Sequence, residues 1–453
     1  MSDQENDSKK GLPKKGKRRR FKIWHGIPIL VILVLVPLHI SGSRKLGKRL
    51  QILRNKGYPV TLKELENSYT IPEGARNAAD TYLEAFSHYS EWDKAAMRDL
   101  RKARSPKRTD PLDASARQLV EKFLSDNQKA FSLLHEAATI DHCRYPIDFT
   151  NPPELGDPPL KNMVNCGGLL RLDVNIQCEN QDSEKAFESI RAQMALAQSI
   201  DAPLLIHWLE RMSLRIGVYR SIERVLNRLP LSDQQLLILS TWIDAPDINQ
   251  DFKRALIEEQ CLGLDAYQAP IREVAHRTKL GMPTLFPWKL IGRCYGEALG
   301  YIDLMQQAID AADLSDPERV AALKAIDGAV EAGEHGGKLT GKFWPIYPYI
   351  YYVDVRHLSL MRATQAALAV ERYRLAEGRL PKSLDDLVPA YIEAVLLDPC
   401  NGRPLKYRIL QPGFVVYGVG DDLGDNGGAE YGSRGRDGQG RHLPCDIPFI
   451  VER

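Results

Sequence analysis

The sequence predicts a mainly α-helical chain. It reads as an N-terminal transmembrane helix, a large body of helical hairpins and a small α+β domain at the C-terminus. Three observations carry this. One apolar run, IPILVILVLVPLHI at residues 27–40, contains no charged residue. Residues 165–245 read as helix upon helix with short joints, the pattern of side-by-side hairpins. Residues 404–420, PLKYRIL and FVVYGVG about a Gln-Pro-Gly turn, alternate like a β-hairpin.

The apolar run sets topology. Alone it is short for a span, which needs about 20 residues. Phe21, Ile23 and Trp24 extend it, with Trp24 suited to the interface and Lys22 able to snorkel. Nine Lys/Arg precede the run and six follow it by residue 56. The positive-inside rule therefore puts the N-terminus in the cytoplasm. The expected division is a basic cytoplasmic tail at 1–22 and an anchor at 23–42. A helical body follows at 43–340, then an aromatic linker at 341–354 and the C-terminal domain at 355–453. The body is thus expected outside the cytoplasm, held at the inner membrane by a single span. A cleaved signal sequence is the rival reading, since Ser41-Gly42-Ser43 follows a short apolar core.

Charge argues in the same direction. The net charge is +2, yet fifteen Lys/Arg and only three acids lie in residues 1–56. The rest of the chain is acidic, which excludes the basic face that nucleic acid requires. The expected partners are the membrane, through residues 23–42, and an unspecified protein.

Along the body, Thr61 is a candidate cap and Tyr58-Pro59 a break. Residues 77–92 form an amphipathic helix, and 101–112 (RKARSPKRTDPL) a solvated basic loop. One long helix is expected from 113 to 140, and a proline-rich segment at 143–160 forbids helix. Asp182 or Ser183, and Ser232, cap later helices. Helices are also expected at 248–278, 296–312 and 315–332. GKFWPIYPYIYYV, at 341–353, is an aromatic seam between body and C-terminal domain.

Catalytic signatures are absent. His135-Glu136 opens HEAAT, with Thr139 where a zinc-protease helix needs its second histidine. His207, His276 and His357 stand singly in helical patterns. GxSxG and GxxxxGK[ST] do not occur. Seven cysteines include no CxxC. In an oxidising compartment, Cys400 and Cys445, which flank an aspartate loop, are the expected disulfide, and Cys166 with Cys178 the second choice. In that loop, GDDLGDNGG, Asp421, Asp422 and Asp425 offer hard oxygens suited to Ca²⁺. A solvated turn is the alternative. Three carboxylates exclude a phosphate cradle.

The C-terminal hundred residues carry one resemblance. A helix ends in ERYRLAEGRLP; SLDDLVPAYI, DPCNGRPLKY and FVVYGVG follow; a Gly/Asp loop is closed by a late Asp-Ile. This order resembles the soluble domain of the type II secretion major pseudopilin, over residues 355–450. The resemblance implies a hairpin followed by a calcium loop, with Asp446 matching one of the family's two late aspartates. Pro444 stands at the other. The prepilin cleavage motif is missing, and some 300 residues separate the apolar run from this domain, so the chain is not expected to be a filament subunit. It resembles an uncharacterised bacterial membrane-anchored family with a pseudopilin-like tail. Three functions follow. The first is a non-enzymatic interaction or scaffolding role. The second is a hydrolase or ligand-binding protein with a site between body and tail near residues 146–160. The third is accessory membership of a secretion or pilus-like system.

Overall fold

The computed structural model describes residues 19–147, 149, 158–201, 204–243, 248–278, 285, 293–334, 350–420, 422–430 and 445–453. It is mainly helical, with fifteen helices among these residues and one three-stranded sheet near the C-terminus.

Helix α1 (Arg19–Asn55) includes the apolar run and continues into the body, where Leu46 and Leu53 are buried. Among the described residues no helix is long and apolar enough to cross a membrane. The anchor expected at 23–42 lies in α1, where most side chains before Val36 fall outside the description. Thr61 caps α2 (Leu62–Ser68), accepting the Glu64 amide at 3.3 Å.

Next come α3 (Ala78–His88) and α4 (Lys94–Ala103). The helix expected over 113–140 is two helices, α5 (Ala114–Asp126) and α6 (Gln128–Ala137). Asn127 divides them. Its buried side chain donates to the Phe123 carbonyl (3.0 Å) and accepts the Ser90 amide (2.7 Å). An amide that bonds main chain competes with helix continuation, so a polar residue in an apolar pattern became a hinge.

Helix α7 (Pro158–Asn180) is followed by α8 (Ser183–Gln198), which Asp182 caps through the Lys185 amide. Cys166 and Cys178 both lie on α7. Twelve residues of helix separate them by about 18 Å, beyond the Cα spacing a disulfide allows, so the second-choice pairing fails. Helix α9 (Leu205–Arg228) then crosses the molecule. Its first half joins a core with α1 and later helices through Leu205, Trp208 and Met212. Its second half joins another, through Val218, Ile222 and Leu226.

Ser232 caps α10 (Asp233–Ile243) through the Gln235 amide. Residues 248–278 form two helices, α11 (Ile248–Gln268) and α12 (Ile271–Thr278), with Pro270 at the break. Helices α13 (Arg293–Ala311), α14 (Asp316–Glu331) and α15 (Ile350–Glu377) complete the set. Of the aromatic segment, residues 341–349 lie outside the description.

Helix α15 is buried on nearly all sides. Its Tyr219 partner on α9 meets His357 at 3.0 Å, and Arg319 of α14 donates to its Asp354 at 3.1 Å. Gly378 ends it with φ +67°, a conformation glycine adopts freely. SLDD forms only a 3-10 turn, Leu384–Leu387, in which Asp386 accepts the Lys382 amide at 2.7 Å.

The sheet is antiparallel in the order β1 (Lys406–Ile409), β2 (Phe414–Gly418), β3 (Ile447–Val451). Phe414, Val416, Phe449 and Val451 share one core with α8, α9, α10 and α15. The C-terminal segment and the body therefore bury apolar surface against each other. At the hairpin turn Gly413 has φ +92°, and a Cβ there would sit 1.8 Å from the Val451 carbonyl oxygen.

Two stability changes are expected. Gly413→Ala sets a side chain against main chain and should cost about 3 kcal/mol or more in denaturant unfolding. Asn127→Ala leaves buried main-chain groups unpaired and should cost about 1–3 kcal/mol. A loss below about 0.5 kcal/mol at either position would contradict the geometry.

Candidate functional site

A polar concavity of about 1020 Å³ lies beneath the first half of α9. The chain turn at Lys56–Pro59, the segment after α2, residues 141–144, the end of α8 and the face of α11 wall it. Asn77 builds its rim: while its carbonyl caps α3 through the Ala79 amide, it also accepts the Arg144 amide (2.9 Å) and donates to the Arg144 carbonyl (3.0 Å). Deeper in, the Tyr69 hydroxyl accepts the Tyr145 amide (3.0 Å), and the Arg144 guanidinium lies over the Tyr69 ring, 4.8 Å from its centroid.

Cations dominate the lining: Lys56, Arg144, Arg211, Arg215, Lys253 and Arg254 against Asp141, Asp201, Asp251 and Glu258. Three of these six cations are ion-paired, Lys56 donates to Gln306 at 3.0 Å, and Arg144 lies on the Tyr69 ring. Arg211 reaches Asp251 at 3.4 Å, Arg254 pairs with Asp201, and Lys253 pairs with Asp313. Arg215 is the exception. It is 5% exposed, and its Nε is buried without a partner. Among the described residues no ion pair or hydrogen bond reaches its guanidinium. A buried, unmatched charge costs several kcal/mol unless something pairs with it.

Two titrating groups shape the chemistry. Burial raises the Glu258 carboxyl to about 7, against the opposing pull of Arg254. Near neutrality it therefore both donates and accepts protons. Burial also pushes the Cys143 thiol up to about 12, so it stays a thiol and a poor nucleophile. Ser199 donates to the Leu196 carbonyl (2.7 Å) and meets the Tyr145 hydroxyl (3.0 Å). The cleft offers recognition groups, guanidinium and carboxylate side chains together.

A second concavity, about 810 Å³, opens where the 104–110 loop, α7 and α9 meet the C-terminal residues Glu430 and Glu452. The loop is not the solvated turn its composition suggests. Arg224 donates to the Lys107 and Asp110 carbonyls, and Arg228 to that of Thr109. Arg108 bonds Glu452 at 3.2 Å and pairs with Glu430.

The aspartate loop is built differently. Asp446 is buried and accepts the amides of Asn426 (3.1 Å), Gly428 (2.6 Å) and Ala429 (3.3 Å). Burial raises its carboxyl all the same. Asp425 accepts the Gly427 amide and the Tyr417 hydroxyl, both at 3.0 Å, and those bonds lower its carboxyl. Asp422 accepts the Gly424 amide at 3.2 Å. Asp421 lies outside the described residues. Among those described, no group of three His, Cys, Asp or Glu is placed to hold a metal. Cys400 is buried, its amide donating to Asp398 at 3.0 Å, and Cys445 is half-buried beside Gly420. His207 and His357 are packed in the core, with burial lowering both, His207 to about 4.

Sequence reasoning did not single out Arg211 or Arg215. The available signal was their i, i+4 spacing in a helix flanked by apolar residues on both faces. Searched against family models, curated proteins and solved structures, the chain matches none of them.

Glu258 makes a pH test. Its folded value lies above the ordinary carboxylate value of 4.5, so the native state binds the extra proton. The stability it contributes is present at low pH and is lost as pH rises through about 7. Wild type should therefore lose stability relative to Glu258→Gln over that interval in parallel melting curves. Curves that stay parallel across it would rule out a raised carboxyl.

Proposed function

We propose that this is a membrane-anchored, extracytoplasmic binding protein whose helical body takes up a small polar molecule bearing an anionic group. Arg215 carries the reading: a buried guanidinium lining a polar cleft, with no protein anion matched to it. Arg211 flanks it one helical turn away, suited to the same oxyanion. Asp201, Asp251 and Glu258 suit hydroxyl or amine groups on the rest of the molecule. The cleft weighs for this reading over a purely scaffolding role. It lies within the body, bordered by residues 141–144, rather than between body and tail. The basic N-terminal segment and the exposed apolar side chains Leu33, Val36, Leu38 and Ile40 of α1 support the anchor.

The tail keeps its pseudopilin-like reading on the order of helix, Gly378, Pro381, hairpin and closing strand, and with it an accessory place beside a secretion machine. Calcium would there be a stiffener of the aspartate loop, held by Asp422 and Asp421 beside the amide-bound Asp425 and Asp446. A Cys400–Cys445 bridge would belong to the same reading. Excess calcium should then raise the melting temperature and a chelator lower it. Identical melting in both would remove the ion from the account.

A stability measurement tests the binding role without knowledge of the ligand. If Arg215 is held for an anion, Arg215→Met replaces an unmatched charge with an apolar chain and should stabilise the free protein by about 1–3 kcal/mol. A structural arginine would give the opposite sign, and destabilisation above about 1 kcal/mol would sink the proposal.

A further inference from the structure

The second concavity, at the seam between body and tail, has its own charge imbalance. Seven cations line it, Lys107 and six arginines, against four carboxylates, Asp110, Glu223, Glu430 and Glu452. The acids are already engaged. Glu223 accepts from Arg220 at 2.8 Å, and Glu430 and Glu452 hold Arg108. Arg224 is held by Glu179 at 3.0 Å and by loop carbonyls. Arg104 and Arg171 are left over. Among the described residues neither guanidinium has an ion pair or a hydrogen bond.

Their placement is built into the helices. Arg171 projects from α7, and Arg104 follows directly on the last residue of α4. Gly168, one turn before Arg171, makes room for Arg104: a Cβ at Gly168 would lie 2.7 Å from Arg104 Nη1. The missing side chain lets a second guanidinium settle against α7 beside the first. Burial, and then the like charges of Arg104, Arg220 and Arg224, push Arg171 down to about 10. It remains charged at neutral pH and is repelled by its neighbours.

We propose that this seam is a second anion site, taking a phosphate-bearing small molecule between the guanidinium groups of Arg104 and Arg171. The class follows from charge and shape. Two unmatched guanidinium groups call for a multiply charged ligand rather than a single carboxylate. Planar guanidinium forks match tetrahedral oxyanions with two parallel hydrogen bonds each. Residues of the tail line the same space, so the ligand would touch both parts of the chain. The seam is separate from the cleft under Arg215, because α9 sends Arg211 and Arg215 to one side and Arg220 and Arg224 to the other.

Isothermal titration of the full chain with inorganic pyrophosphate tests this, with citrate as the carboxylate control. One pyrophosphate site is expected, weakened at least about tenfold by Arg171→Gln and by Arg104→Gln, as for loss of a charge-assisted pair. Gly168→Ala, which keeps every charge, should weaken it several-fold by moving Arg104. Arg215→Met should leave it intact. Absence of pyrophosphate binding, equal binding by both glutamine variants and wild type, or loss in Arg215→Met alone would each overturn the proposal. Citrate binding more tightly than pyrophosphate would overturn the phosphate assignment. Circular dichroism of each variant, expected to match wild type, separates lost binding from lost fold.

Discussion

A helix closes the open edge of the sheet, and the arrangement of the rest follows from that contact. Glu223 and Asn227 lie one turn apart on α9. Glu223 accepts the Ile450 amide at 2.8 Å; Asn227 donates to the Ile450 carbonyl at 2.8 Å and accepts the Glu452 amide at 2.7 Å. Arg220 adds a bond to the Pro448 carbonyl at 3.2 Å. A row of side chains thus does for β3 what a fourth strand would do. Edge amides left in a buried seam are costly, so the sheet and α9 hold their position together. Arg108, bound to Glu452 and near Glu223 at 3.8 Å, draws the 104–110 loop onto the same seam.

Helix α9 consequently has no free side. Leu205 and Trp208 serve one core, Val218 and Leu226 another, and Ile206 and Leu214 pack against a third. Its arginines leave in two opposed directions because nine residues, from Arg211 to Arg220, make about two and a half helical turns. A helix so enclosed holds guanidinium groups in fixed places, which is what oxyanion recognition requires. The cost is charge drawn away from water, and at Arg215 no carboxylate answers it.

Much of the local structure was legible because its causes are local. Thr61, Asp182 and Ser232 cap helices through amides three residues away. Gly378 and Gly413 stand where only a positive φ closes the turn. The mainly helical class and the hairpin follow from side-chain periodicity. Asn127 was not legible, because its partner, Ser90, is 37 residues distant. The basic loop at 101–112 was misread for the same reason: Arg224 and Arg228, more than a hundred residues on, hold its carbonyls. The cleft was least legible of all. It joins side chains from Lys56 to Glu258, and no short motif records that juxtaposition. The aspartate loop drew attention by composition, yet its best-held carboxylate, Asp446, is engaged by main-chain amides.

With α9 lying along β3, strand exchange is confined to the other side of the sheet. A donated strand from another molecule would have to join β1, four residues long and mostly exposed. Lys406 and Arg408 stand there, Lys406 already near Asp425 at 3.5 Å. An incoming strand would gain few main-chain bonds and meet positive charge. The sheet is therefore a poor seed for edge-to-edge polymerisation, and the tail is built to stay with its own body.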